Sequence, residues 1–402
     1  MSAPCRPSLV SWNLTKRCNL RCPHCYLEAG KAAAAELSTG ECLSLVGELR
    51  ALGTEMLILT GGEPLLRKDV YAIARAASDA GMWVVMGTNG VLVTEAVADA
   101  MVECGIKGVA VSLDSTDPAK HDAFRGGRGA WQHTVRALGL CRSRGLEVLV
   151  QTTVLEENEE EVPALLELAR ELGAWSFNLY FLVRTGRGEG MTELPAARME
   201  EILARLVALQ EAYRPMLVRA KCAPHFKRIA YQAGEAGLES GGCMAGVDYC
   251  RITPEGDVTP CPYMTAVAGN VRHGGFTAIW RDAPLLQALR DPERLGGRCG
   301  ACEFRDLCGG CRCRAYAATG DPLAEDPGCT WQPTGVPLPE MPLAWSDDAR
   351  ARLERIPIAF IRGKLERGIE SFARRHGHRT VTLEVMDAGM QGAGRGPFGG
   401  GV

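Results

Sequence analysis

The alternation of apolar runs and amphipathic stretches between residues 9 and 182 restricts the possible folds of this chain more than any other feature. Six apolar runs have the length and composition of strands: Leu9–Asn13, Met56–Thr60, Met82–Met86, Gly108–Leu113, Glu147–Val154 and Trp175–Leu182. The stretch after the first run has the pattern of an amphipathic helix, which begins with a capping box at Ser38 and Glu41. Strands that alternate with helices form parallel sheets covered by helices. The sequence therefore predicts an α/β fold with its chemistry at the carboxyl ends of the strands.

Three cysteines follow the first predicted strand at a spacing that suits an iron–sulfur cluster. They are Cys18, Cys22 and Cys25, at positions i, i+4 and i+7. Three thiolates can hold three irons of a [4Fe–4S] cube and leave the fourth iron open to a substrate or cofactor, whereas a four-cysteine site only carries electrons. A zinc site is the alternative interpretation. We expect the open iron, and therefore an enzyme.

This cysteine segment resembles the cluster motif of the radical S-adenosylmethionine (radical SAM) superfamily. The resemblance implies a partial (β/α)6 TIM-like barrel in which S-adenosylmethionine (SAM) binds the open iron. Reductive cleavage of SAM then gives a 5′-deoxyadenosyl radical, which abstracts hydrogen from a substrate. An electron donor such as a ferredoxin or flavodoxin is implied as a partner.

Polar residues at the ends of the predicted strands are the SAM-binding candidates that this resemblance implies. The run Gly61-Gly62-Glu63 matches the family motif that holds the SAM amine, and Arg125 is suited to a charge-assisted contact with the SAM carboxylate. The full set of candidates is Thr60, Gly61, Gly62, Glu63, Asn89, Ser112, Asp114 and Arg125. Tight turns and helix caps are the ordinary alternatives for residues of these types.

Cysteines crowd again after residue 221, which indicates a second metal-binding region. Their spacing is C-x6-C-x10-C, then C-x2-C-x5-C-x2-C, and then one closing cysteine. The eight residues are Cys243, Cys250, Cys261, Cys299, Cys302, Cys308, Cys311 and Cys329. Eight thiolates are enough for two fully ligated [4Fe–4S] clusters, and two zinc centres with four cysteine ligands each are the alternative.

The region resembles the SPASM auxiliary-cluster domain, through Cys-Met-Ala-Gly at 243–246 and the unit Gly256-x4-Cys261. The resemblance implies two auxiliary clusters, and thus three [4Fe–4S] clusters with the SAM cluster. The implied ligands are Cys243, Cys250, Cys261 and Cys311 for auxiliary cluster I, and Cys299, Cys302, Cys308 and Cys329 for auxiliary cluster II. The C-x2-C spacing before Cys311 departs from the usual C-x3-C, so Cys313 is an alternative to Cys311. We interpret Cys222 as an ordinary buried thiol, with a position facing the substrate as the alternative.

The C-terminal residues form a further predicted unit. Residues 345–380 have helical spacing and resemble the small C-terminal domain of a light-independent protochlorophyllide reductase subunit, which suggests a tetrapyrrole. A helical hairpin over an apolar surface is the alternative, with His376 and His378 as exposed residues rather than porphyrin ligands. The predicted divisions are a radical SAM core at 8–215, a SPASM domain at 221–332, a linker at 333–342, a small helical domain at 343–388 and a disordered tail at 389–402.

Composition and charge narrow the function classes. The net charge of −3, with Lys and Arg scattered singly, gives no basic field for nucleic acid. No apolar run approaches the roughly 20 residues that span a bilayer, and the N-terminus lacks a signal-peptide pattern. We therefore expect a cytoplasmic protein whose 17 cysteines are reduced and available to metal.

Together these features predict a radical SAM enzyme that modifies or decarboxylates a tetrapyrrole side chain in heme biosynthesis. A peptide- or protein-modifying SPASM maturase is the alternative, although a strand that begins near residue 9 leaves no room for an N-terminal peptide-binding domain. A non-catalytic iron–sulfur electron carrier is a lesser alternative. No catalytic acid or base can be assigned beyond the cluster. Tyr180, Arg184 and Arg187 are candidates for the substrate side or for a stabilised turn.

Overall fold

A computed structural model describes residues 6–33, 35–233, 242–336, 338, 343–375 and 380–393. The strands are β1 (Leu9–Asn13), β2 (Met56–Thr60), β3 (Trp83–Thr88), β4 (Gly108–Ser112), β5 (Glu147–Val154), β6 (Ser176–Phe181), β7 (Leu217–Lys221), β8 (Tyr249–Ile252), β9 (Asp257–Thr259), β10 (Gly269–Asn270), β11 (Ala344–Trp345) and β12 (Thr380–Val381). The α-helices are α1 (Thr39–Ala51), α2 (Val70–Asp79), α3 (Glu95–Glu103), α4 (Pro118–Arg125), α5 (Ala130–Ser143), α6 (Val162–Glu171), α7 (Ala196–Leu209), α8 (Phe226–Gln232), α9 (Phe276–Asp282), α10 (Pro284–Leu289), α11 (Gly297–Ala301), α12 (Arg312–Thr319), α13 (Asp347–Glu354), α14 (Ala359–Arg375) and α15 (Leu383–Ala393).

One sheet in the order β10-β9-β8-β1-β2-β3-β4-β5-β6-β7 organises the described residues. Strands β1 to β6 are the six predicted strands, and each pairs in parallel with the next. The predicted α/β fold with a partial TIM-like barrel is therefore confirmed. The sheet is wider than predicted, because β7 adds in parallel to β6 and β8 adds in parallel to β1. The SPASM segment thus contributes β8, and beyond it β9 and β10, to the sheet of the core.

The two faces of the sheet have different neighbours. Alternate side chains such as Val10, Leu59 and Phe177 are fully buried in one apolar core with the outer helices. The intervening side chains face the inside of the barrel. Strand register places Ser112, Gln151, Asn178 and Arg219 side by side across β4 to β7 on this inner face. Side chains on the inner face are therefore available to a ligand.

The C-terminal residues form a small module with its own core. Strands β11 and β12 pair in parallel, and α13, α14 and α15 pack around Leu353, Ile369 and Met386. Helix α15 continues to Ala393, beyond the predicted start of a disordered tail at residue 389. His376, His378 and residues 394–402 lie outside the described residues. The helices that the structure describes include none with the length and apolarity needed to cross a bilayer.

Candidate active site

The loop after β1 carries Cys18, Cys22 and Cys25, and its own backbone closes it. The Cys18 N–H donates to the Gly30 carbonyl at 3.0 Å. Two sulfurs accept backbone hydrogen bonds at 3.4 Å, from Leu20 to Cys18 Sγ and from Ala29 to Cys25 Sγ. Hydrogen bonds to thiolate sulfur are a feature of iron–sulfur sites and tune their potential. The donor set and its surroundings therefore fit a cluster held by three thiolates.

Arg187 supports this loop from outside the barrel strands. Its guanidinium donates to the carbonyls of Cys22 at 2.9 Å and Ala29 at 2.7 Å. A Cβ on Gly186 would lie 2.6 Å from the Tyr26 carbonyl oxygen, so this turn packs directly on the cysteine loop. Of the two interpretations of Arg187, substrate contact or turn stabilisation, the structure favours stabilisation. Arg184 likewise donates to the Glu189 carbonyl at 2.9 Å.

The Gly61-Gly62-Glu63 turn docks on the same loop. Backbone N–H groups of Gly62 and Glu63 donate to the carbonyls of Thr15 at 2.8 Å and Arg17 at 2.7 Å. A Cβ on Gly62 would lie 2.2 Å from the Arg17 carbonyl oxygen. The two glycines therefore allow close packing of the turn against the cysteine loop.

Gly62→Ala is expected to destabilise the protein by about 1–3 kcal/mol, because the new methyl group overpacks a rigid backbone contact. We also expect less iron in the reconstituted variant, because the cysteine loop must move. Gly47→Ala is the control, since a Cβ in the middle of α1 meets nothing within 4 Å. That substitution should stabilise the helix by about 0.5–1 kcal/mol. Chemical denaturation and iron analysis of both variants check the prediction. Equal stability of the two variants would contradict it.

Glu63 is fully buried and its carboxylate is occupied by groups of the protein. It accepts from the Thr88 hydroxyl at 2.8 Å, the Asn89 N–H at 2.9 Å and the Leu65 N–H at 3.2 Å. Burial raises the pKa of this carboxyl to about 7. The side chain is expected to help hold the SAM amine, and in the structure it ties the turn to the end of β3.

Asp114 and Arg125 form a buried ion pair beside the cysteine loop. The Arg125 Nε and Nη2 atoms both lie 2.5 Å from Asp114 Oδ2, and Nη1 lies 3.8 Å from Cys22 Sγ. The Thr153 N–H donates to the second Asp114 oxygen at 2.8 Å. Arg125 was expected to pair with the SAM carboxylate, but its partner in the structure is Asp114. The pair therefore fixes a cation next to Cys22.

The remaining SAM-binding candidates lie around this pair. The Asn89 amide donates to Asn19 Oδ1 at 2.8 Å and lies 3.9 Å from Cys18 Sγ. Thr60 and Ser112 are half-buried, at the carboxyl ends of β2 and β4. The structure thus brings the sequence-predicted residues to one end of the barrel, beside the three cysteines.

A second group of thiols lies in the SPASM segment. One cleft is lined by all four predicted ligands of auxiliary cluster II: Cys299, Cys302, Cys308 and Cys329. Amide N–H groups donate to two of the sulfurs at 3.4 Å, from Gly310 to Cys308 and from Asp326 to Cys299. In the part of the chain that the structure describes, no three His, Cys, Asp or Glu side chains converge on a single-ion site. The four thiols at this cleft fit the donor set of a four-iron cluster.

A third group of thiols departs from the prediction. Cys311 and Cys313 are buried with Val183 and Met264, and Cys261 packs against them. The thiols that meet here are Cys222, Cys243, Cys261, Cys311 and Cys313. They include both alternatives, Cys311 and Cys313, and the supposed ordinary thiol Cys222. Cys222 also has a φ of +59°, a backbone conformation that is uncommon outside glycine and concentrated at functional sites.

Cys250 lies apart from this group of thiols. It lies on β8 opposite Val10 of β1, and both side chains are fully buried in the main apolar core. Its neighbours Tyr249 and Arg251 face the opposite side of the sheet, because successive strand residues alternate. The resemblance to the SPASM domain implied that Cys250 is a ligand, but the alternation of side chains along β8 places it in the apolar core.

Cys250→Ala is therefore expected to leave the iron content of the reconstituted protein unchanged. It should lower the free energy of unfolding, because the side chain no longer packs in the core. Cys261→Ala is the matched variant, since Cys261 belongs to the thiol group and Cys250 does not. It should lose about four irons, those of one cluster. Iron and sulfide analysis after anaerobic reconstitution separates the two variants. Equal iron loss in both would show that Cys250 is a ligand.

Comparison with known proteins adds to this geometry. Three family models match: the radical SAM superfamily at residues 12–169, the iron-sulfur cluster-binding domain at 243–311, and the proto-chlorophyllide reductase 57 kD subunit at 345–388. These matches confirm the resemblances on which the sequence predictions rest. SAM and [4Fe–4S] clusters are accordingly the cofactors of this chain.

Individual relatives match along most of their length. An AdoMet-dependent heme synthase of Methanosarcina barkeri is 41% identical over 81% of this chain and 97% of its own length. A mycofactocin maturase of Mycobacterium ulcerans is 33% identical over 82% of this chain and 89% of its own. The crystal structure of Streptococcus suis SuiB bound to S-adenosylmethionine has the same fold, with a TM-score of 0.67 at 16% identity over 81% of this chain and 78% of that one. The chain therefore belongs to the radical SAM superfamily, as a SPASM-containing enzyme related to the AdoMet-dependent heme synthases.

Proposed function

We propose that this enzyme decarboxylates propionate side chains of an iron-bearing tetrapyrrole in heme biosynthesis. The observation that carries the proposal is the 41% identity to a heme synthase across nearly the whole of that relative. The match of residues 345–388 to a protochlorophyllide reductase subunit supports a tetrapyrrole independently of the core.

When bound, the cofactors supply a 5′-deoxyadenosyl radical and an acceptor for one electron. A propionate that loses a hydrogen atom and CO2 releases that electron and becomes a vinyl group. The chain's own residues position the partners. Glu63 fixes the turn beside the cysteine loop, and Asp114 holds Arg125 next to Cys22. The inner face of β4 to β7 then provides the polar surface over which a substrate can lie.

The proposal includes three [4Fe–4S] clusters. Cys18, Cys22 and Cys25 hold the SAM cluster, and the cleft thiols hold auxiliary cluster II. Four of the five converging thiols, without Cys250, hold auxiliary cluster I. We place the enzyme in the cytoplasm, where thiols stay reduced, with a ferredoxin or flavodoxin as electron donor.

The test is anaerobic turnover with reduced, reconstituted enzyme, SAM and iron coproporphyrin III, a porphyrin with four propionates. We expect 5′-deoxyadenosine together with a mass loss that corresponds to conversion of propionate into vinyl. The Cys22→Ala variant, which lacks one SAM-cluster ligand, should form neither product. Absence of both products from the wild type would contradict an active radical SAM enzyme and favour an electron carrier.

A peptide maturase is the second candidate, and the 33% identity to a mycofactocin maturase favours it. The turnover assay distinguishes the peptide maturase from the tetrapyrrole decarboxylase by one outcome. Formation of 5′-deoxyadenosine with an unchanged porphyrin would exclude the tetrapyrrole reaction and direct the search to peptides encoded near the gene.

A further inference from the structure

Strand β7 places two cations on the inner face of the barrel. Arg219 pairs in register with Asn178 of β6, and Lys221 pairs with Tyr180. Val218, the residue before Arg219, is buried in the outer core. Because strand residues alternate, both cations point to the side of the sheet that also carries Ser112, the candidate at the end of β4.

Helix α14 of the C-terminal module carries a further cation, Lys364, and begins beside Glu55 at the amino end of β2, while the Arg219 guanidinium lies against Trp175 at the amino end of β6. The module contacts the core through the Phe360 N–H, which donates to Glu55 Oε2 at 2.9 Å. One turn further along α14, the Lys364 ammonium lies 4.5 Å from the centre of the Phe360 ring. Burial and the neighbouring charges of Arg219, Lys221, Lys227 and Arg367 hold the pKa of Lys364 well below its usual value.

Among the described residues, no carboxylate forms an ion pair with Arg219, Lys221 or Lys364. The Arg219 guanidinium lies against the Trp175 ring, 5.6 Å from its centre. Of the acidic residues of α14, Glu366 pairs with Arg350 and Glu370 accepts from Trp345. Gathering like charges without a counter-ion costs free energy, and the cost grows as the surroundings become less polar. Arg219 is exposed and Lys364 half-buried, so a ligand from solvent can reach the cluster.

We propose that Arg219, Lys221 and Lys364 form an anion site that binds carboxylate groups of the substrate, so that α14 completes the substrate pocket. Guanidinium and ammonium groups are suited to carboxylates through charge-assisted hydrogen bonds. The row from Ser112 to Arg219 spans three strand spacings, about 14 Å, a distance suited to a macrocycle with acidic arms. One arm then reaches the SAM end of β4 while others are held at β7. The inference rests on the proposed tetrapyrrole function and adds where its carboxylates bind.

The test is a spectroscopic titration of reconstituted enzyme with iron coproporphyrin III and with its tetramethyl ester, which has the same ring without the charges. Lys364→Met and Arg219→Met should each weaken binding of the acid roughly 10-fold to 100-fold and leave binding of the ester unchanged. Lys364→Arg keeps the charge and should retain binding. Lys107→Met, at an exposed lysine before β4, is the control and should bind as the wild type does.

Iron content and circular dichroism identify any methionine variant that fails to fold. At such a position, the affinity of the charge-conserving variant for the acid and for the ester is the result that counts. If the wild type converts the porphyrin and the methionine variants bind the acid with the wild-type Kd, the anion site is wrong and the proposed function stands. If the wild type neither binds nor converts the porphyrin, both proposals are overturned.

Discussion

Asp114→Ala is expected to destabilise the protein by about 3–5 kcal/mol, because it leaves Arg125 buried without its partner. Arg125 is 8% exposed and Asp114 1% exposed, so water cannot replace the lost carboxylate. The Thr153 N–H loses its acceptor as well. Because Arg125 lies 3.8 Å from Cys22 Sγ, we also expect the variant to retain less iron at the SAM cluster.

Two controls separate the buried pair from a general effect of removing an acid. Asp282→Ala breaks an ion pair with Arg281 whose side chains are both more than half exposed, and it should cost less than about 1 kcal/mol. The double variant Asp114→Leu/Arg125→Met removes both charges and should recover much of the stability. Denaturant unfolding with iron analysis measures these effects. A loss of less than about 1 kcal/mol for Asp114→Ala would show that the pair does not hold this region.

Asp326→Ala is expected to have an effect of similar size and to disturb the thiol group that contains Cys311. The Asp326 carboxylate accepts from the Cys311 N–H at 2.6 Å, and its own N–H donates to Cys299 Sγ at 3.4 Å. It also pairs with Arg314 at 3.4 Å, and both side chains are buried. Removal of the carboxylate leaves Arg314 with the weaker contact to Glu193, at a cost of about 3–5 kcal/mol.

The iron content of Asp326→Ala should fall by up to about four irons, those of the cluster nearest Cys311. Asp321→Ala is the matched control from the same segment, because the Asp321 carboxylate caps an exposed turn through the Leu323 N–H. It should cost about 1 kcal/mol and leave the iron content unchanged. Retention of full iron by Asp326→Ala, measured together with its stability, would contradict a role for Asp326 in holding the thiol group that contains Cys311.

The elements of the sheet could be predicted because their signals are local. Apolar runs define β1 to β6, and the Ser38 capping box forms as the sequence predicts. Strand β7 was missed because its inner face carries Arg219 and Lys221, which interrupt the apolar pattern. The same alternation of apolar and charged residues was the signal that could have identified both the strand and the cations on it.

The partners of the site residues could not be predicted, since they depend on contacts between distant segments. Glu63 meets Thr88 and Asn89 after one βα unit, and the charge of Lys221 lowers the pKa of Lys364, which belongs to a separate module later in the chain. Cys250 was implied as a ligand by the SPASM resemblance, a signal that does not report which face of a strand a side chain occupies. Its place in the apolar core follows from the pairing of β8 with β1.

The most direct test of the proposed reaction is turnover of iron coproporphyrin III that carries deuterium on the propionate carbon attached to the ring. The decarboxylation removes a hydrogen atom from the substrate, so we expect deuterium to appear in the 5′-deoxyadenosine. One vinyl group should form for each molecule of deuterated 5′-deoxyadenosine. Unlabelled 5′-deoxyadenosine alongside an intact tetrapropionate porphyrin would contradict the tetrapyrrole function.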